Sequence, residues 1–348
     1  MSVHKGVSKS VLIGVVVVII IIIAALAIYM ATTAPPQTTT TPTKTTPTTT
    51  PAAAYSLVIY TGSPGGIYNP LGFKIAEVVD KYSEKLKVTA RESGASVANC
   101  KAINIGDAQI ALAQSDVAYF AYNGKLIEEF KGKPVKVLRA LAALYPEPIQ
   151  IVARADANIK TIWDLEGKKV AVGNPGSGLY ATAYTILSTL GLWDKIVKIE
   201  IGYKEAVQQM KQGLVDAFFN VAGVPTPIVV ELAAHVPINL VEVPNDAIQK
   251  LKDAGLGNLY LPLIIPKGSY DFMKKDIQTV TVMALLVCRA DIPDDVVYEF
   301  LKTMFGHLDE IKAVHKRAED IKLETAPKVP IPLHPGAEKF YKDKGVLG

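Results

Sequence analysis

The sequence of 348 residues has few cysteines: Cys100 and Cys288 are the only two. They form no Cys-x-x-Cys pair, and the five histidines fall in no zinc-binding spacing, so the motifs of metal sites are missing. A disulfide between the two cysteines and two separate buried thiols both stay open, because spacing in sequence does not fix distance in the fold. We predict no metal site.

The motifs of nucleotide binding and nucleophilic catalysis are also missing. The loop Gly62-Ser63-Pro64-Gly65-Gly66 lacks the G-x-G-x-x-G spacing, and no G-x-x-x-x-G-K-[ST] loop occurs. Around Ser177, Pro175 and Leu179 stand where a nucleophile elbow needs glycines. Since catalysis needs a convergent acid, base or nucleophile, we predict no catalytic residue, no cofactor and a binding function rather than an enzyme.

The part of the chain after residue 54 has little net charge. The formal net charge of the whole chain is +4, and Lys5, Lys9 and Lys44 supply three of these charges. The remainder is nearly neutral, which argues against a nucleic-acid-binding surface.

One long apolar run is present, at 11–31. Its length is sufficient to cross a bilayer as a helix, and Lys5 and Lys9 before it predict a cytoplasmic segment 1–10. We interpret the run as a retained transmembrane anchor, with a cleaved signal peptide as the alternative. Residues 32–54 are rich in threonine and proline and cannot build a core, so they predict an extended stalk that holds a domain outside the cell membrane.

The remaining residues alternate between apolar strand patterns and amphipathic helix patterns. This alternation predicts an α/β fold with parallel sheets covered on both faces, and the length favours two lobes. We place lobe 1 at 55–145 and 275–348 and lobe 2 at 146–274. Tyr145-Pro146-Glu147-Pro148 is interpreted as an interruption between two strands, and 277–288 as a strand, either within one lobe or crossing between the lobes.

Several loops share one design, in which a strand ends, a polar loop follows and a helix begins. In open parallel sheets ligands bind at this edge, and helix N-termini offer free N–H groups to anions. Asn69 is the predicted N-cap of the first helix, and Ser115 or Asp116 that of the third. The repeated loops predict a cleft for a small anion, with Tyr68, Tyr145 and Tyr180 as candidates for residues that line it.

The same loops carry a family resemblance. The chain resembles the TAXI-type solute-binding receptors of TRAP transporters in "YTGSPGGIYNPLG", "SGASVANCKAINIGDAQIALAQSDVAYFAYNG", "DLEGKKVAVGNPGSGLYATAYTILSTLGL" and "GLVDAFFNVAGVPTPIVVELA". The resemblance implies a two-lobe periplasmic-binding-protein fold, type II-like, with a small organic anion between the lobes. A glutamate-like amino acid and a dicarboxylate such as 2-oxoglutarate are the implied ligands. The implied partner is an ion-gradient-driven TRAP permease, and the alternatives are the binding protein of an ABC importer and, less favoured, a membrane-anchored ectoenzyme.

The resemblance also implies a set of ligand-binding residues, to which Tyr145 is added from its place beside a polar loop. The set is Thr61, Gly62, Tyr68, Ser96, Asn99, Gln114, Ser115, Asp116, Tyr145, Pro175, Gly176, Ser177, Gly178, Phe219, Gly223 and Pro225. The chain departs from the family pattern twice: Leu179 replaces a hydroxyl residue, and Gly94-Ala95-Ser96 replaces Gly-Gly-Ser. A lost hydroxyl alters selectivity in a site that discriminates by hydrogen bonds.

Overall fold

The computed structural model describes residues 53–64 and 66–348. The predicted cytoplasmic segment, membrane anchor and stalk lie outside these residues, apart from Ala53 and Ala54. Within the described part of the chain, no helix is both long and apolar enough to span a bilayer.

Strands and helices alternate over most of the described chain. The strands are β1 Tyr55–Tyr60, β2 Leu86–Arg91, β3 Ile110–Gln114, β4 Leu138–Arg154, β5 Lys169–Ala171, β6 Val197–Ile199, β7 Ala217–Val221, β8 Ile238–Val241, β9 Leu261–Ile265 and β10 Ile277–Arg289. The helices are α1 Tyr68–Tyr82, α2 Ser96–Ile105, α3 Ser115–Asn123, α4 Gly178–Thr189, α5 Tyr203–Lys211, α6 Pro227–Ala233, α7 Asn245–Asp253, α8 Asp294–Gly306, α9 Leu308–Lys312 and α10 Pro335–Asp343.

The strands form two lobes joined by two long strands. In lobe 1, β1 pairs in parallel with β2 and β3, and in lobe 2 β5 pairs in parallel with β6 and β7. Strands β4 and β10 run antiparallel to each other and connect the two lobes. The α/β class and the two-lobe arrangement are therefore confirmed, and β10 crosses between the lobes, which is one of the two expected arrangements. The expected parallel pairing is present within each lobe, whereas both crossing strands pair antiparallel with their neighbours.

The predicted interruption at Tyr145-Pro146-Glu147-Pro148 is also wrong, since β4 is continuous over 17 residues. Pro146, Glu147 and Pro148 pair with β10 on one side, while β7 pairs with β4 only from Ile149 onwards. Residues two apart in a strand direct their N–H positions to the same side. Both prolines can thus face the side without a partner strand, where a missing donor costs no ladder hydrogen bond.

Three hydrophobic clusters stabilise the described chain. One lies in lobe 1, where Leu71 and Phe300 are fully buried, and another in lobe 2 around Phe218. The largest extends across both lobes, from Val117 and Phe120 to Ile186. The lobes therefore share a packed apolar interface on the side of α3 and α4. Cys100 and Cys288 are free, buried thiols, which settles the alternative left open above in favour of unpaired cysteines.

Candidate functional site

A cavity of about 310 Å³ lies between the lobes, where the polar loops of both lobes meet. The N-terminal ends of α1, α2 and α4 contribute to its wall. This volume is at the lower end of ordinary ligand pockets and suits a small metabolite. Its lining residues are Gly62, Ser63, Gly66, Ile67, Tyr68, Gly94, Ala95, Ser96, Ala98, Gln114, Glu147, Asn174, Pro175, Gly176, Ser177, Gly178, Leu179, Gly202, Tyr203, Val221 and Ala222.

The first loop places Gly62 and Tyr68 at the cavity. The side chain of Thr61 points into the protein interior instead. Thr61 is fully buried, and its Oγ1 donates a hydrogen bond of 2.9 Å to the carbonyl of Arg91. The predicted N-cap at Asn69 is wrong, because α1 begins at Tyr68 after Ile67, without a side-chain cap. Asn69 instead donates from Nδ2 to the carbonyl of Gly62 at 3.2 Å and so fixes the loop.

The second loop places Ser96 at the cavity and Asn99 behind it. Ser96 is fully buried, and its Oγ accepts a hydrogen bond from the backbone N–H of Gln114 at 3.1 Å, which ties the second loop to the third. Asn99 is fully buried and donates to the carbonyls of Thr61 and Leu112 at 2.8 and 2.7 Å. Asn99 therefore holds the first and third loops together and does not line the cavity.

Ala95 has an unusual backbone conformation at this loop. Its φ of 67° and ψ of −152° belong to a region that is normally populated by glycine. Ala95 precedes helix α2 directly, so the strained geometry sets the direction in which the first N–H groups of α2 point. The departure from Gly-Gly-Ser noted in the sequence thus falls at the one position of this loop that favours glycine.

The third loop divides its polar side chains between the cavity and the lobe interface. Gln114 lines the cavity, whereas Ser115 accepts from the backbone N–H of Met283 at 3.0 Å. Asp116 is fully buried, and its Oδ2 accepts from Thr182 Oγ1 at 2.8 Å and from Tyr260 Oη at 2.7 Å. The predicted cap at Ser115 or Asp116 is wrong, because Gln114 is the N-cap of α3. Burial raises the pKa of Asp116, against the hydrogen bonds that stabilise its charge.

Lobe 2 contributes the loop from Pro175 to Gly178, and all four of these residues line the cavity. Ser177 caps α4, since its Oγ accepts from the N–H of Tyr180 at 3.1 Å and donates to the carbonyl of Asn174 at 2.7 Å. Gly178 lies directly against lobe 1: a Cβ added there would overlap the Gln114 side chain and lie 2.6 Å from Ser96 Oγ. The lobes therefore approach as closely as they do only because residue 178 is glycine.

Four other predicted residues lie outside the cavity lining. Phe219 and Tyr145 are fully buried in the core. Gly223 contacts the other lobe, since a Cβ there would overlap the Arg317 side chain and lie 3.0 Å from Ile67 Cδ1. Pro225 lines a separate depression of about 330 Å³ beside Pro146 and Pro148.

Glu147 is the only acidic residue among the described cavity-lining residues that sequence reasoning missed; Asn174 and Tyr203 are other examples of missed lining residues. It lies in β4, is only 3% exposed and lines the cavity. Its Oε2 accepts a hydrogen bond of 2.6 Å from Tyr68 Oη. Burial is the main cause that raises the pKa of Glu147 to about 8. The hydrogen bond from Tyr68 lowers this pKa, whereas the negative charge of Asp116 raises it. A glutamate between two prolines in an otherwise apolar strand is the sequence signal that could have identified it.

The charge of the cavity differs from the expectation of a purely anion-binding cleft. Among the described residues that line it, Glu147 alone carries an ionisable carboxyl group and none carries a cationic side chain. Positive potential comes instead from the N-terminal ends of α2 and α4, whose first N–H groups have no partner within their helices. Across the described residues, no cluster of three or more histidine, cysteine or acidic side chains is arranged to hold a metal ion.

Solved structures match this chain at low sequence identity. The periplasmic binding protein BugD matches with a TM-score of 0.50 and 14% identity, covering 84% of this chain and 94% of its own. The aliphatic sulphonate binding protein SsuA from Escherichia coli has a TM-score of 0.46 and 15% identity over 84% and 91% of the two chains. The GluR0 ligand-binding core from Nostoc punctiforme, solved with L-glutamate, has a TM-score of 0.44 and 16% identity over 76% and 99%.

The likeness to BugD supports the periplasmic-binding-protein type of fold, and identities this low say nothing more specific. A family model matches residues 59–345, which span both lobes and the cavity between them. The chain therefore belongs to the NMT1-like family.

Proposed function

We propose that the protein is an extracytoplasmic solute receptor that holds one small organic acid between its lobes and delivers it to a membrane permease. The cavity between the lobes carries this proposal, because each lobe supplies part of its wall and neither encloses it alone. A ligand that contacts both lobes favours the closed arrangement by its differential affinity for that state.

The chemistry of the wall supports an acid as the ligand. The first N–H groups of α2 and α4, at the cavity wall, are donors suited to a carboxylate. No triad or pair of groups for nucleophilic attack converges on the cavity among its described lining residues. The geometry supports binding without chemical conversion.

The class of permease has two candidates. The TAXI-like motifs support a TRAP permease, but neither the family match nor the three structures named above carry the TRAP name. An ABC importer is therefore at least an equal candidate. Uptake into cells that express the receptor with its permease separates the two: ATP depletion at a maintained ion gradient stops ABC import, whereas an ionophore stops TRAP import.

Binding itself is tested by isothermal titration calorimetry with a panel of amino acids, 2-oxo acids and dicarboxylates. We expect one ligand class to bind with a stoichiometry of one per chain. Absence of saturable binding across the whole panel would contradict the proposed function.

A further inference from the structure

Glu147 uses only one of its two carboxyl oxygens in a hydrogen bond with the described residues, although it is buried at the cavity wall. Its Oε2 accepts from Tyr68 Oη at 2.6 Å, and no described residue donates a hydrogen bond to Oε1. The residue is only 3% exposed and lines the cavity. Burying a carboxyl group without full pairing is costly, so an unpaired oxygen at a ligand cavity marks a place for a ligand donor.

The groups around Glu147 cannot neutralise a negative charge on it. Tyr68 of α1, Tyr145 of β4 and Tyr203 of α5 face it as neutral phenols, and Asp116 of α3 adds negative potential. None of the described cavity-lining residues is a lysine or an arginine. The missing positive charge is thus left for the ligand to supply.

Other residues of the cavity wall have the complementary character. Gly178 and Leu179 begin α4, and Ser96 begins α2, so backbone donors and helix-dipole charge gather there. One region therefore accepts a carboxylate and another accepts a hydrogen-bond donor with positive charge. An α-amino acid carries both groups.

We propose that Glu147 recognises a protonated nitrogen of the ligand, and that the ligand is an amino acid rather than a carboxylic acid without an amine. This inference rests on the proposed function and names the ligand class for the same cavity. Glu147 selects the nitrogen, and the helix N-termini bind the carboxylate.

Binding of an ammonium group changes the protonation state of Glu147. With a pKa of about 8, Glu147 is mostly protonated at pH 7 in the free protein. An ammonium group beside it favours the ionised form, so binding releases a proton and the affinity rises from pH 6 to pH 8. A carboxylate ligand bound to protonated Glu147 would show the reverse, a constant affinity below pH 8 and a loss above it.

The test compares acids that differ only at the nitrogen. The common L-amino acids are screened by thermal shift, each beside its 2-oxo acid, with L-glutamate and 2-oxoglutarate as the first pair. The best pair is then titrated calorimetrically at pH 6, 7, 8 and 9 in buffers of different ionisation enthalpy, which counts the protons released. We expect the amino acid to bind at least tenfold more tightly than its 2-oxo acid and to release close to one proton at pH 7.

Two variants accompany the titration. Glu147→Gln keeps the size of the side chain and its bond with Tyr68 but cannot ionise, so we expect at least a tenfold loss for the amino acid and a flat pH profile. Glu84→Gln neutralises an exposed glutamate in the turn before β2. It should leave the affinity for the amino acid and its pH profile unchanged. The proton count on the wild-type protein needs no variant and stands even if Glu147→Gln folds poorly.

The outcomes separate the inference from the function. Tighter binding of the 2-oxo acid, or proton uptake on binding, would overturn the assignment of Glu147 and leave the receptor function intact. Binding of neither member of any pair, nor of the dicarboxylates, would overturn the receptor function and the inference with it.

Discussion

Thr182 of helix α4 donates a hydrogen bond of 2.8 Å from its Oγ1 to Oδ2 of Asp116 on helix α3, and so joins lobe 2 to lobe 1. The same hydroxyl oxygen accepts from Gln114 Nε2 at 2.7 Å. Both ends of this bond are fully buried, within the apolar interface that the lobes share. One hydroxyl group thus connects the interface to a residue of the cavity wall.

Thr182→Val should lower the stability of the protein by about 1–3 kcal/mol, because it leaves buried polar groups of Asp116 and Gln114 with fewer partners. The shape of the side chain is kept, so packing changes little. Chemical denaturation measures the loss. Thr189→Val on the same helix is the matched control, since that hydroxyl donates only to the carbonyl of Thr185. An equal loss in both variants would contradict the special role of Thr182.

Gly178→Ala should weaken ligand binding by more than tenfold. The added Cβ would overlap the side chain of Gln114 and lie 2.6 Å from Ser96 Oγ, so the lobes could no longer approach as they do. Calorimetric titration with the ligand of the wild-type protein checks this. Gly306→Ala at the end of α8, where a Cβ meets nothing within 4 Å, is the control and should bind normally. Unchanged affinity in Gly178→Ala would show that close approach of the lobes is not needed.

Ala95→Gly should raise the melting temperature. A non-glycine residue at φ 67° and ψ −152° stores about 1–3 kcal/mol of backbone strain, and glycine removes it at a cost of about 0.5–1 kcal/mol in backbone entropy. The net gain is on the order of 1 kcal/mol by thermal denaturation. Gly94→Ala, the reverse substitution one residue earlier, serves for comparison, since a Cβ there lies 3.1 Å from Ala98 Cβ. A lower melting temperature in Ala95→Gly would mean that the strain is absent.

The free protein should lose stability as the pH rises towards 8, through Glu147. Its folded pKa of about 8 lies above its ordinary value of 4.5, so the folded state holds a proton that the unfolded state gives up. The contribution of Glu147 to the free energy of unfolding is fully present below about pH 4.5 and is lost as the pH rises through about 8. The loss is at most about 1.4 kcal/mol for each pH unit.

Glu147→Gln removes this dependence. At pH 9 its melting temperature should exceed that of the wild type, while at pH 5 the two should be similar. The comparison is made on ligand-free protein, since a bound cation would stabilise the ionised carboxylate. A variant that is less stable than the wild type at pH 9 would contradict the raised pKa.

The general position of the cavity could be predicted from the sequence. Glycine and serine at the ends of strands, such as Gly62, Ser96 and Gly176, are typical of loops at the edge of a parallel sheet, and these residues line the cavity. Their neighbours Thr61, Asn99 and Asp116 lie in the same loops or first helical turns but are not among the residues that line it. A shift of one or two residues along a helix start reverses the direction of a side chain, and sequence spacing does not fix that direction.

Sequence reasoning missed Glu147 because its two flanking prolines indicate a turn. Only the pairing of Pro146 and Pro148 with β10 shows that the segment is a crossing strand. The bond from Tyr68 to Glu147 joins residues 79 positions apart, and the bond from Tyr260 to Asp116 spans 144 positions. Such contacts depend on how the lobes are assembled, which local patterns do not reveal.

Native mass spectrometry of the purified protein, incubated with the acid panel, tests the central claim most directly. The account predicts one small-molecule adduct per wild-type chain, released chemically unchanged on denaturation and absent in Gly178→Ala. An adduct that persists in Gly178→Ala, or a ligand that is released in converted form, would contradict a receptor that holds its ligand between the two lobes.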